Sequence, residues 1–422
     1  MRRIQLISVG IVGLLISCCT YGQSEQAPAI SAKQLEQCQS QRAQDEYAQI
    51  DLLISRQQFT KALTLIPKPD LKTPLLVHAL FGRIQYLRAY QKVHTYRSKQ
   101  PDQALLAVAT KHILHAANKQ HPMALYDKAR WFLSEQQHEQ RIELLTAAAE
   151  QDYVPAMLAL AKQSFLTAQN SEQRHQAQVL VQQAATTDGK AKIQLARYYL
   201  HDDPLLKSIT GYPYDPPKAI ELLIQAVQVC EPEAAYRLSK AAQKQIAPIV
   251  LPTNKARYWL EVAALLDYIP AYGELAADYL QSGEQIEQAI MWAKRGAEQD
   301  DITALVTLAD IYYKGKGVEK DHEKALGFYE AALNLDQHNR YVQNQLGIMY
   351  YKGEGGQVDF HRAAYLCRGA ANTGQAGCQY YLGLMYVNGE GVTQDIALGI
   401  DWMKKSAAQD FRTAQNWLRE NW

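Results

Sequence analysis

Three groups of side chains have the types that chemistry needs. His112-Ile-Leu-His115 places two imidazoles at i and i+3 on one helical face, with His121 close behind. A zinc-type site needs a third ligand and an outer shell that orients the rings. His112 also falls in a slot that a repeating pattern reserves for packing, so no metal is expected. His201-Asp202-Asp203 has ligand types but no ligand spacing, and reads as a solvated turn. The carboxylate pair Asp300-Asp301 sits between helices and is likewise read as solvated. No Gly-x-Ser-x-Gly, His-Glu-x-x-His or Gly-x-x-x-x-Gly-Lys-Ser/Thr pattern occurs. Lys314-Gly-Lys-Gly317 imitates a phosphate cradle, but the same turn recurs without its lysines at Gly389-Glu-Gly391, which marks it as structural. Six cysteines are present, none spaced Cys-x-x-Cys, so zinc and dithiol redox motifs are unsupported. The expectation is a protein that is not an enzyme and holds no cofactor.

The elements carrying these residues repeat. Asp321-x-x-x-Ala325-x-x-Phe328, Asp359-x-x-x-Ala363-x-x-Leu366 and Asp395-x-x-x-Gly399-x-x-Trp402 are three copies of one phrase. Each follows an apolar helix pattern closed by a similar turn: Tyr313-Lys-Gly-Lys-Gly317, Tyr351-Lys-Gly-Glu-Gly355 and Val387-Asn-Gly-Glu-Gly391. In the first copy Ala304, Leu305, Leu308, Ala309 and Tyr312 form one helical stripe. Glycine after Tyr313 ends that helix, and Asp321 suits the N-cap of the next. One such hairpin cannot bury its stripe alone, so neighbours must stack. Traced backwards, the small-residue slot falls at Ala109, Arg141, Ala177, Ala219, Ala256, Ala289, Ala325, Ala363 and Gly399. Three residues on, the bulky slot reads His112, Leu144, Leu180, Leu222, Trp259, Trp292, Phe328, Leu366 and Trp402. The predicted fold is all-α, a right-handed α-solenoid of tandem helix–turn–helix repeats.

The chain has 422 residues, a formal charge of +1 and 21% charged residues. That balance leaves no electrostatic footprint for nucleic acid. Arg2 and Arg3 precede the mostly apolar Ile4–Ile16, too short for a comfortable membrane span, so residues 1–17 read as a targeting segment. Residues 18–32 read as a flexible tether, 33–100 as a degenerate helical cap broken by Pro67, Pro69 and Pro74, 101–410 as the repeats (strongest over 253–410), and 411–422 as a capping helix. An insertion from His201 to Pro217 has loop chemistry. Its Tyr212 and Tyr214 are the tyrosines best placed for partner contact. Tyr312, Tyr313, Tyr350, Tyr351 and Tyr386 follow the repeat phase and are expected mostly in the core.

Two resemblances follow from these residues. Leu15-Ile16-Ser17-Cys18 resembles a bacterial lipobox, which implies diacylglycerol on the Cys18 thiol. The alternative is an ordinary secretory signal cut near Thr20-Tyr21-Gly22. Residue 19 is Cys rather than Asp, so the resemblance implies the outer membrane, periplasmic face. Ile311-Tyr-Tyr-Lys-Gly-Lys-Gly-Val318 and Met385-Tyr-Val-Asn-Gly-Glu-Gly-Val392 resemble the Sel-one-like repeat family, a relative of the tetratricopeptide repeat. That family implies a scaffold holding proteins together. Some of its cysteine-rich members carry helix-linking disulfides, and Cys367 and Cys378 lie on successive helices; they are either such a bridge or two small buried hydrophobes. Cys38 and Cys230 either pair or stay free.

An anchored solenoid of this kind resembles the lipoproteins that organise alginate export. The function expected is therefore a lipid-anchored scaffold for envelope proteins, with exopolysaccharide export as one setting. The alternatives are a periplasmic hydrolase of the β-lactamase or cell-wall type, and a free periplasmic peptide-binding regulator.

Overall fold

The computed structural model describes residues 30, 32–44, 49–50, 53–54, 58–70, 73–94, 101–131, 137–202, 204–244, 255–283 and 285–421. Cys18, the residue expected to carry lipid, lies outside them, as does Asp203. Among the described residues every regular element is a helix, and none is long and apolar enough to cross a membrane. The chain divides into two units, Met1–Leu266 and Asp267–Trp422.

The first unit holds α1 (Ala32–Gln44), α2 (Phe59–Thr64), α3 (Leu75–His94), α4 (Gln103–Asn118), α5 (Pro122–Trp131), α6 (His138–Ala149) and α7 (Val154–Thr167). It continues with α8 (Ser171–Thr187), α9 (Gly189–Leu200), α10 (Pro204–Thr210), α11 (Pro216–Gln228), α12 (Pro232–Gln243) and α13 (Lys255–Leu265). The second holds α14 (Ile269–Ser282), α15 (Ile286–Ala297), α16 (Ile302–Lys314), α17 (His322–Leu335), α18 (Arg340–Lys352), α19 (Phe360–Asn372), α20 (Ala376–Asn388), α21 (Ile396–Ala407) and α22 (Arg412–Asn421). Within each unit successive helices pack as pairs, and pairs stack on pairs. The chain is an all-α solenoid.

The repeated phrase works as its chemistry demands. Asp321, Asp359 and Asp395 each cap the helix that follows, accepting from the backbone N–H of Lys324, Arg362 and Leu398 at 2.9 Å. Gly315, Gly353 and Gly389 end the preceding helices in the left-handed region, at φ +67°, +69° and +74°. The second glycine of each turn has another reason. A Cβ at Gly355 would overlap the carbonyl of His322, and one at Gly391 the carbonyl of Phe360. These two turns thus lie backbone to backbone on the first residue of the second helix one repeat upstream, whereas a Cβ at Gly317 would meet the Ile286 side chain. Only a residue without a side chain fits at Gly355 and Gly391.

Burial follows the slots. Ala109, Ala177, Ala219, Ala256, Ala289, Ala325, Ala363 and Gly399 are all buried, while Arg141 is only partly so. Trp259 and Trp292 are buried in the bulky slot. Leu305, Tyr329, Leu346, Met349, Leu382 and Met385 belong to one continuous core across three repeats of the second unit. α22 closes that unit's end, laying Ala414, Trp417 and Leu418 against Tyr380 and Met403.

One expectation is revised. The insertion is not all loop: α10 forms inside it, and Tyr212 turns inward. α1 and Ile30 ahead of it are tied to residues 230, 258 and 265, far along the chain.

Candidate interaction surface

The residues that first suggested chemistry are engaged in structure. His78 Nε2 lies 3.0 Å from the Asp70 carbonyl, which can only accept, so His78 carries its proton there. Its Nδ1 is then the acceptor for His112 Nδ1–H at 2.9 Å. The His115 ring stands 4.6 Å from that of His78. Burial first, then the neighbouring His78, Lys111 and His115, push the His112 imidazolium below its usual range. Among the described residues no group of three or more His, Cys, Asp or Glu is arranged to hold a metal.

His201 and its neighbour brace the insertion. His201 Nε2 meets the Tyr212 carbonyl at 2.9 Å, and Asp202 pairs with Arg237 at 2.9 Å. Asp301 is not a solvated loop residue. It caps α16 through the Thr303 N–H at 3.0 Å and also accepts from Gly273 N–H at 2.8 Å on α14. Burial raises its pKa, opposed by those same backbone hydrogen bonds.

Tyrosines knit the second unit. Tyr313 Oη donates to Glu354 at 2.8 Å and Tyr351 Oη to Glu390 at 3.0 Å. Each phenol closes one repeat onto the turn glutamate of the next. Burial, then the bonded glutamate, raises both phenols. Asp310 accepts from Tyr341 at 2.8 Å, from Tyr329, and from Lys314 at 2.7 Å. Glu330 holds Tyr350 and Arg362 in the same manner. Tyr350 is buried as expected, but Tyr312, Tyr313, Tyr351 and Tyr386 are only partly so. The sequence hinted at this pairing. The first turn carries Lys316 where later copies have Glu, and the copy before it has Gln281 where the donating tyrosine would stand.

The two tyrosines of the insertion part company. Tyr212 is 5% exposed, packed among Phe165, Tyr198 and Tyr199, and its hydroxyl donates to the Gln178 carbonyl at 3.2 Å. It lies out of a partner's reach because the aromatic cluster recovers more by burial than a loop position offers. Tyr214 is 56% exposed beside His201. Sequence reasoning passed over Tyr365 on α19, which is 76% exposed. Its signal was there, since the matching positions two after the small slot are Gly327 and Asp401. Cys367 and Cys378 are joined by a disulfide inside the core, and Cys38 is joined to Cys230.

The phenol–glutamate contacts of the second unit hold one repeat on the next. The Sel1 repeat profile matches residues 189–228, 232–268, 271–301, 303–336, 341–374 and 376–411. The chain belongs to the Sel1 repeat family. An uncharacterised protein of Neisseria meningitidis serogroup B is 28% identical over 240 residues, 50% of this chain and 50% of that protein. The chain therefore spans about half the length of that curated relative. A Sel1 repeat protein from Oxalobacter formigenes matches with TM-score 0.50 and 22% identity, over 84% of this chain and 95% of that one. The structure of c5321, described as a protective antigen of uropathogenic Escherichia coli with an SLR fold, gives TM-score 0.53 and 20% identity over 90% and 88%. Both likenesses concern the fold. Sel1 repeats are typically protein–protein interaction modules.

Proposed function

We propose that this Sel1 repeat protein is a lipid-anchored scaffold on the periplasmic face of the outer membrane, gathering envelope proteins by avidity. The observation that carries the reading is the pairing of all four cysteines beyond residue 19, Cys38 with Cys230 and Cys367 with Cys378. Disulfides persist in oxidising compartments, the bacterial periplasm among them. The leader pattern ending at Cys18 supports the same compartment and adds the anchor. Several acyl chains hold a protein at a membrane where one is marginal. A tethered scaffold then raises the local concentration of whatever it binds. An exopolysaccharide export apparatus of the alginate type is the setting this architecture suits.

Metabolic labelling with palmitate tests the anchor. The full-length chain takes label and fractionates with outer membrane, Cys18→Ser takes none, and globomycin blocks maturation. A soluble, unlabelled wild-type protein sinks the anchored reading in favour of a free periplasmic regulator. Turnover of a β-lactam or muropeptide by the purified protein would overturn the scaffold in favour of a hydrolase.

A further inference from the structure

The sulfur bridge between Cys38 and Cys230 joins residues 192 apart and holds α1 against the far end of its own unit. Two further ties lie beside it. Gln39 Nε2 donates to the Leu265 carbonyl at 2.9 Å, and Tyr258 Oη to the Ile30 carbonyl at 3.4 Å. α1 itself is rich in Gln, and among its described side chains Leu35 and Cys38 are the buried apolar ones. A helix of this length and composition is not stable by itself in water. The covalent bond is therefore the strongest thing keeping it seated.

The seat is unlike its counterparts in other repeats. In α13, Val262 and Leu265 are 2% and 4% exposed. The same two slots hold Arg295 and Glu298 in α15 and at its C-cap, Ala331 and Asn334 in α17, Gly369 and Asn372 in α19, and Lys405 and Ala408 in and just after α21. Those residues are small or polar, whereas α13 carries two bulky apolar side chains where α1 approaches it. The anchoring cysteine is also out of place. Cys230 adopts φ +68°, and the sibling turns use Gln120, Asp152, Asp267, Asp300, Gly374 and Asp410 for the same left-handed residue. Asp and Gly tolerate that conformation, and Cys has no preference for it. A thiol at that slot is explained by the bond it makes.

We infer that α1 is a disulfide-latched strap covering an interaction face on α13, and that a dithiol reductant opens the latch before it opens the other disulfide. Cys367 and Cys378 are both fully buried, whereas Cys230 is only partly so. A thiolate of the dithiol attacks Cys230 Sγ, the S–S bond breaks, and Cys38 leaves as thiolate. The second thiol of the reductant then displaces Cys230 from the mixed disulfide. The reductant departs as its own disulfide, having given two electrons, and both cysteines take up protons. α1 leaves, and the Val262–Leu265 face is open to an amphipathic helix like the one it held. That last use rests on the scaffold reading; the opening of the latch does not.

The test is native reduction of the intact oxidised protein with rising dithiothreitol, quenched by iodoacetamide and mapped by mass spectrometry. Cys38 and Cys230 are expected to alkylate at least tenfold faster than Cys367 and Cys378. Hydrogen exchange in 32–44 and 255–265 should accelerate at least tenfold in the same samples. Cys38→Ser/Cys230→Ser should show the fast exchange with no reductant. If that variant does not fold, the wild-type titration alone decides. Simultaneous opening of both disulfides, or an unchanged exchange rate at 255–265 after Cys230 is alkylated, overturns the inference. Either result leaves the palmitate-labelling experiment untouched.

Discussion

At the scale of residues, the first unit contains a buried ion pair. Arg83 meets Asp127 with two hydrogen bonds, at 2.8 and 2.7 Å, and reaches Tyr153 Oη at 3.2 Å. Asp127 has no exposed surface. Replacing Arg83 by Met strands that carboxylate, which costs about 3–5 kcal/mol, and thermal melting of the variant should show it. The histidines give a pH dependence of known sign. Burial, with His78 beside His112 and Arg83 beside His121, depresses both imidazolium pKa values. A folded pKa below the unfolded value of about 6.5 makes that part of stability complete above it and lost as pH falls through the folded pKa. The first unit's melting temperature should therefore drop on acidification below about 6.5, and His112→Asn should flatten the slope. A slope that rises toward acid contradicts the assignment.

At the scale of elements, the turn glycines separate two reasons for using glycine. Gly355 combines φ +83° with backbone overlap against His322, so Gly355→Ala should lose more than about 2 kcal/mol. Gly327 sits inside α17, exposed, with open space where the methyl of an alanine would stand. Gly327→Ala should gain about 0.5–1 kcal/mol from helix propensity alone. Chemical denaturation of the two variants side by side reads both signs. Helix ends of this kind were legible beforehand: the caps at Asp321, Asp359 and Asp395 and the stops at Gly315, Gly353 and Gly389 are local events, set within a few residues. The cap at Asp301 was not, because its second bond goes to Gly273 on another helix.

At the scale of the whole molecule, contact with partners should depend on side chains that stability ignores. Tyr214→Ser should leave stability within about 0.5 kcal/mol of wild type while weakening in-cell crosslinking to the partners of the proposed scaffold. Tyr212→Ala, by contrast, empties an aromatic cluster and should cost about 3–5 kcal/mol. Crosslinking unaffected by Tyr214→Ser would remove the insertion from the interaction surface.

The chain's own order of residues determined the helical pairs, their caps, their period and the slots that face inward, since each depends on neighbours three to eight positions away. It also set which residue types were available to pair. Only the tertiary structure decided that Cys38 meets Cys230 rather than staying free, that Tyr212 points in while Tyr214 points out, and that Tyr313 reaches Glu354. Those choices join residues brought close by stacking, and stacking distance is not written into any single stretch of chain.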